Sequence, residues 1–343
     1  MWPSVPVALG ARVSWEICTG ASRDTRNNDG LGTRLRDAAD AVESAAVKYG
    51  AAARSRTLHT LAPQDFQVEG LSGSTVSDIV YGSGMVNGAG RDIYDAVMDG
   101  RDEELCPMCR HTEISELDHV LPKKAFPALC VTPDNLVGTC DYCNSKKSDI
   151  TAEDPRKVLL HPHFENTAAE RWLQAEVTPG SRGVLRYFVV APSHWDAVFA
   201  DRVRHQFAFI DLATRYGSKA NQTLSGMRGH LTEQLAKNHA DGLRAYLSDL
   251  AASHRAHDLN GWAGVAYGAW AADDAFCHGS FTSGPDRRIR AGVSTRGDLK
   301  ITWLQGGLRR ESVVRYDAKS AGDYAGYKRA EPGVSDVRIV RAR

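Results

Sequence analysis

Four cysteines, in the pairs Cys106/Cys109 and Cys140/Cys143, are the residues of this sequence best placed to do chemistry together. Each Cys-x-x-C pair presents two thiolates, and four thiolates satisfy one tetrahedral zinc ion. Thirty residues (110–139) separate the pairs. A minimal four-cysteine ribbon has only ~15–20, so the spacing predicts a folded insert. A redox dithiol would need one pair only, at a strand-to-helix junction in a βαβ pattern, which is not seen here; ordinary buried thiols are the other alternative. Four protein ligands leave no open position, so such a zinc closes the fold and does no chemistry.

Inside the insert, Leu117-Asp118-His119-Val120-Leu121-Pro122 is a short apolar run with a carboxylate and an imidazole side by side. On a strand these two side chains point to opposite faces, which suits different tasks. A carboxylate is a hard ligand for Mg2+ or Mn2+, and an imidazole near its ordinary pKa can activate water. Phosphodiester hydrolysis needs both, a metal for charge on the leaving oxygen and a base for the attacking water. Taken alone, an Asp-His dipeptide is a weak signal.

The whole arrangement resembles the HNH endonuclease family, whose ββα-metal motif reads DHxxP, NL and CxxCNxxK. The matching residues are Asp118-His119-x-x-Pro122, Asn135-Leu136 and Cys140-x-x-Cys143-Asn144-x-x-Lys147. The resemblance implies that Asp118 ligates a catalytic Mg2+ or Mn2+ and that His119 is the general base. It implies that Asn135 fixes the loop orienting the histidine. Asn144, at the start of a helix, would be the second metal ligand in place of the motif's final histidine, and a neutral amide oxygen favours a hard ion. Lys147 would reach the scissile phosphate or be an exposed surface lysine. The implied reaction is hydrolysis of DNA leaving 5′-phosphate ends. The run from Leu117 to Val137 is also similar to free-standing bacterial HNH proteins, some of which serve as anti-phage effector subunits, the Septu type among them. That similarity implies an ATPase or sensor partner that licenses activity. An inactive, zinc-stabilised nucleic-acid-binding module is the competing expectation.

The chain has 343 residues and zero formal net charge, so composition gives no global signature of nucleic-acid affinity. Charge is uneven: residues 282–343 carry a local net of +7. Around the motif, Lys123, Lys124, Lys146, Lys147, Arg156 and Lys157 would supply a basic patch for phosphates. No run is long and apolar enough for a membrane helix, and no signal peptide is recognisable, so a cytoplasmic protein is expected. Cys18, Cys130 and Cys277 are scattered, as reduced thiols would be.

These residues must be positioned by the rest of the chain, which reads as α+β and mostly α-helical. A central zinc-stabilised ββα-metal unit (101–165) is expected between an N-terminal helical region (1–100) and a hairpin with further helices (166–281). Strands are expected over Glu113 to Val120 and Asn135 to Thr139. Residues 1 to 30 read as irregular, Thr33 to Arg56 as one helix and Ser74 to Tyr81 as a short one. The glycine-rich Ser83 to Arg91 lacks a phosphate-loop ending and reads as a flexible connection. His161 and His163 are metal or groove residues, or structural histidines in a turn fixed by Pro162. A hairpin is predicted around Pro179 to Gly183, then helices over Ser193 to Tyr216, Asn221 to His257 and Asn260 to Cys277. Residues 282–343 are a basic tail that helps hold nucleic acid, the preferred reading, or a small β element with runs at Leu299 to Leu304, Val313 to Tyr316 and Val337 to Val340.

Overall fold

Ala11, Ser14, Trp15 and Cys18 recur at helical spacing, and they bury as one face of α1 (Ala11–Thr19). The irregular reading of residues 1 to 30 is therefore corrected; the stripe was faint because small residues, not large aliphatic ones, carry it. The computed structural model describes residues 2–25, 30–99, 105–282, 299–305, 308–312, 321–322, 325–326, 328–329 and 333–341.

The helix expected over Thr33 to Arg56 is two, α2 (Leu31–Asp37) and α3 (Ala39–Arg54), joined at Ala38. Leu35, Val42, Ala45 and Tyr49 bury from them as the periodicity requires. After α4 (Gly73–Val76), a π-helical segment runs over Ser77–Val86. It absorbs part of the glycine-rich stretch, which is packed structure instead of a flexible connection. A Cβ on Gly84 would lie 2.1 Å from the Cys18 carbonyl oxygen, and one on Gly90 would lie 2.6 Å from the Cys18 sulfur. Gly84→Ala is accordingly expected to cost about 2 kcal/mol or more, because the obstacle is backbone; a urea titration of the variant measures it.

α5 (Arg91–Met98) leads towards the first cysteine pair. Strands β1 (Glu116–His119) and β2 (Leu136–Thr139) pair antiparallel, with Asp118 opposite Val137 and His119 opposite Leu136. They are shorter than expected at Glu113 to Ser115 and at Val120. α6 (Asp141–Lys147) follows, capped at Cys140. Asn144 thus sits in its middle, one turn later than the helix start expected for it.

β3 (Leu173–Val177) and β4 (Leu185–Val189) form the predicted hairpin, its turn using Gly180 and Gly183 at positive φ. α7 (Ala197–Phe209) and α8 (Leu212–His257) meet at Asp211, whose φ is 52°. The break therefore falls before Tyr216, where apolar periodicity hid it. An aspartate tolerates this backbone, and its carboxylate accepts the Tyr142 hydroxyl and pairs with Lys146. α8 is interrupted at His239 (φ 58°, ψ −173°). His230 and Tyr246 are hydrogen-bonded at 3.1 Å, although sixteen residues of straight helix span about 24 Å. The chain must therefore fold back there as a helical hairpin. α9 (Trp262–Ala272) and α10 (Asp274–Cys277) complete this half.

Residues Met1–Thr282 form one compact unit, so the three segments up to 281 share one body. Its two apolar clusters meet the β1–β2 hairpin differently. One combines α1–α5 with Leu117 and Leu136, while the other gathers the four cysteines with Trp172, Phe207, Tyr216 and Trp270. Ser283–Arg343 is a separate unit. Its described residues form a three-stranded antiparallel sheet, β6 (Leu308–Glu311), β5 (Leu299–Gln305) and β7 (Val334–Arg341), with Ile301 and Trp303 buried. They take the β alternative over the preferred tail, because alternating Ile301 and Trp303 have apolar partners to cover. The run at Val313 to Tyr316 lies outside the described residues. Among the described residues no helix is long and apolar enough to cross a membrane.

Candidate functional site

The cysteine cluster comes first, because it ties both cysteine knuckles to the hairpin. Cys106, Cys109, Cys140 and Cys143 are buried, with all four sulfurs within 4.8 Å of one another. Zinc–sulfur bonds of about 2.3 Å at tetrahedral corners put sulfurs about 3.8 Å apart. The Cys109 and Cys140 sulfurs are 3.8 Å apart, so the donor set fits a zinc ion. Arg215, from α8, brings its guanidinium to 3.9 Å from the Cys143 sulfur and stacks on Tyr142, 4.3 Å from the ring centroid. Tyr216 donates to the Cys109 carbonyl at 2.6 Å. A cation beside four thiolates offsets the negative charge such a centre carries. Sequence spacing found the cysteines but gave no sign of Arg215, which is over 70 residues away.

Asp118 and His119 end β1, both buried. His119 Nε2 donates to the Cys130 carbonyl at 2.8 Å, which fixes the tautomer and leaves Nδ1 as the accepting nitrogen. Tyr81, from the π-helical segment, meets the imidazole edge-on with ring centroids 4.7 Å apart. Lys123 lies over the other partner's ring, 5.0 Å from the Tyr81 centroid. Burial, with Lys123 and Lys147 nearby, pushes the His119 pKa down to about 3. The ring therefore stands neutral at pH 7, and the same burial makes its accepting nitrogen weakly basic. Neither Tyr81 nor the Cys130 carbonyl was legible: one comes from a distant segment, and the other is backbone, so side-chain type cannot announce it.

Asn135 is fully buried and acts as a clamp. Its Oδ1 accepts the Leu121 N–H at 2.8 Å, while Nδ2 donates to the carbonyls of Leu121 (3.0 Å) and Leu129 (3.2 Å). The Leu129 and Leu121 backbones flank the segment carrying Cys130, so the clamp holds the acceptor that orients His119. Asn135→Ala would orphan a buried N–H and two carbonyls, each worth about 1–3 kcal/mol. A loss of about 3 kcal/mol in a denaturant titration is expected, with Asn135→Asp little better because its carboxylate would face both carbonyls.

Lys147 is corrected on the surface reading alone. It is neither exposed nor pointing to solvent: its ammonium is buried, donating to Asp118 Oδ1 at 3.1 Å and to the His119 carbonyl at 2.5 Å. Burial raises the Asp118 pKa, and Lys147 works against that rise. Asn144 donates through Nδ2 to Glu116, leaving its Oδ1 as the ligand-type atom. Asp118, His119, Lys123 and Asn144 line one cavity of about 110 Å³ with Ser148 and Asp149. Two carboxylates, of Asp118 and Asp149, and the Asn144 amide oxygen around it are a hard donor set, compatible with Mg2+ or Mn2+.

The basic patch is partly spent on internal pairs. Lys146 pairs with Asp211 at 3.1 Å and Arg156 with Asp201 at 3.5 Å, while Lys124 and Lys157 are exposed. His161 and His163 are structural. The His161 Nδ1 accepts the His163 N–H (3.2 Å), so its Nε2 donates to Tyr49 (2.7 Å), whose hydroxyl faces the Asp134 carbonyl (3.4 Å). His163 bonds the Leu136 carbonyl through Nε2 at 2.9 Å. Both thus brace the back of the β2 strand and the Asn135 loop.

No family model matches the chain, and no solved structure matches it. Over 143 residues the chain is 30% identical to Protein ea31 of Escherichia phage lambda, covering 40% of this chain and 48% of that protein. The chain therefore spans about half the length of the curated relative it matches.

Proposed function

We propose that this chain is a metal-dependent HNH-type endonuclease that hydrolyses DNA phosphodiester bonds. The observation that carries the reading is His119, held by the Cys130 carbonyl with its accepting nitrogen free, on the same cavity as Asp118 and Asn144. Asp118 and Asn144 Oδ1 would hold Mg2+ or Mn2+, which when bound supplies charge stabilisation at the leaving oxygen. His119 takes the proton of the attacking water, and the Cys130 carbonyl keeps the ring in the tautomer that can do so. The four cysteines hold a structural zinc that fixes β2 and α6, and so Asn144, against the body of the fold. Exposed Lys124 and Lys157 contribute phosphate contacts.

The test is incubation of the purified protein and its His119→Ala variant with supercoiled plasmid in Mg2+, Mn2+ or EDTA. Metal-dependent nicking by the wild type alone is the expected result. Equal nicking by both would sink the base assignment.

A second reading, a nuclease subunit silent until an ATPase or sensor partner licenses it, as in anti-phage effectors, is favoured by the Asp118–Lys147 pair. A buried ammonium already neutralises the carboxylate that must bind the ion, and the two cations compete. Lys147→Met would remove the competitor, at a stability cost of about 3 kcal/mol for the carboxylate left unpaired. Added Mg2+ should then raise the melting temperature of Lys147→Met more than that of the wild type. Equal rises would show that Lys147 does not compete.

A further inference from the structure

Two side-chain pairs tie α6 to β1, one turn apart on the helix and two residues apart on the strand. Lys147 donates to Asp118, and Asn144 donates through Nδ2 to Glu116. Glu116 and Asp118 share a face of β1, because strand side chains alternate. The antiparallel pairing of Glu116 with Thr139 and of Asp118 with Val137 fixes the strand beneath both. The two carboxylates stand differently towards the small cavity. Asp118 and Asn144 line it, and Glu116 does not. Glu116 therefore reaches the cavity through the amide it holds and through its charge, not by contact.

An asparagine amide has an acceptor end and a donor end, and a hard cation binds the acceptor alone. Which end is offered depends on what holds the other. An ionised carboxylate accepts and cannot donate, so Glu116 takes Nδ2 and leaves Oδ1 for another partner. A neutral amide in place of Glu116 could hold Asn144 either way round, and a methyl group could not hold it at all.

We propose that Glu116 is a positioning residue for the ion site, selecting the amide orientation in which Asn144 Oδ1 is offered to a divalent cation. The proposal rests on the reading of Asp118 and Asn144 as ion ligands. It adds a residue outside the motif, two places before Asp118, that decides whether the amide is a ligand.

The experiment is calorimetric titration of the zinc-loaded full-length protein with Mn2+. It compares wild type, Glu116→Ala, Glu116→Gln, Asn144→Asp and the double variant Glu116→Gln/Asn144→Asp. Glu116→Ala should bind Mn2+ about 10- to 100-fold more weakly than wild type, with zinc content and far-ultraviolet dichroism unchanged, and Glu116→Gln should also bind it more weakly. The double variant separates orientation from charge. Asn144→Asp removes the donor end, and a glutamine opposite it can donate where the glutamate could only repel. Glu116→Gln should therefore weaken Mn2+ binding in the wild-type background but leave it equal or tighter in the Asn144→Asp background. Charge alone would weaken it in both. Weakening in both backgrounds, or wild-type affinity in Glu116→Ala or Glu116→Gln, would overturn the proposal. Metal-dependent nicking with Mn2+ affinity indifferent to Glu116 removes this inference and leaves the nuclease reading. Wild type that binds no Mn2+ removes the ion site itself, and both fall.

Discussion

His119→Ala is expected to slow metal-dependent plasmid nicking by about 10²- to 10⁴-fold, the usual contribution of one positioned acid–base group. The fold commits this ring on every side that the structure describes. Its Nε2 is spent on the Cys130 carbonyl, its edge is packed by Tyr81, and burial keeps it neutral. None of that is needed for a histidine whose role is only packing, which a phenylalanine or leucine would fill at lower desolvation cost. Alanine at a buried position also leaves a cavity, so His119→Asn is the companion variant. An asparagine amide can still donate to the Cys130 carbonyl but offers no basic nitrogen. Both variants should retain the far-ultraviolet dichroism of the wild type, and both should lose nicking as measured by initial rates on supercoiled plasmid. Wild-type rates in His119→Asn would remove the histidine from the chemistry and leave it as a structural donor.

The parts of this site that sequence disclosed are those whose chemistry is local. Two cysteine knuckles, an Asp-His dipeptide and a lone Asn-Leu announce themselves through residue type and spacing, and the structure gathers all of them within and around one hairpin and the helix after it. Asn135 was expected to fix a loop, and its three hydrogen bonds do so. The surface reading of Lys147 failed because its surroundings, not its spacing, decide its state. One turn beyond Asn144 it has the sequence signature of a surface lysine, yet the Asp118 carboxylate and the His119 carbonyl form a buried pocket for its ammonium. The same holds for Tyr81 and Arg215, which reach the site from a π-helical segment and from α8. Helix boundaries misled for a related reason. Apolar periodicity runs smoothly through Ala38 and Ile210, and only the tertiary partners of Asp211 show why the chain turns there.

Stripping the cysteine cluster of zinc is expected to cost the 1–282 body its cooperative thermal transition, or to lower its melting temperature by more than about 10 °C. A four-cysteine zinc site supplies on the order of 10–16 kcal/mol in small domains, while whole domains are stable by only about 5–15 kcal/mol. A loss of even 5 kcal/mol shifts the midpoint of a body this size by roughly 10 °C. The sulfurs are not a peripheral clip here. They lie in the same buried cluster as Met108, Trp172, Phe207 and Tyr216, so releasing them opens the contact between the helical half and β2. Arg215 then stands beside protonated thiols with nothing to offset, which removes a further favourable contact. One zinc per chain by elemental analysis, and none in Cys140→Ser or Cys143→Ser, is the expected stoichiometry. Because α6 begins at Cys140 and carries Asn144 and Lys147, the same variants should lose nicking together with stability, whereas His119→Asn loses nicking alone. Wild type that melts unchanged after treatment with a strong chelator, with its zinc shown to be gone, would overturn the structural role assigned to the cluster.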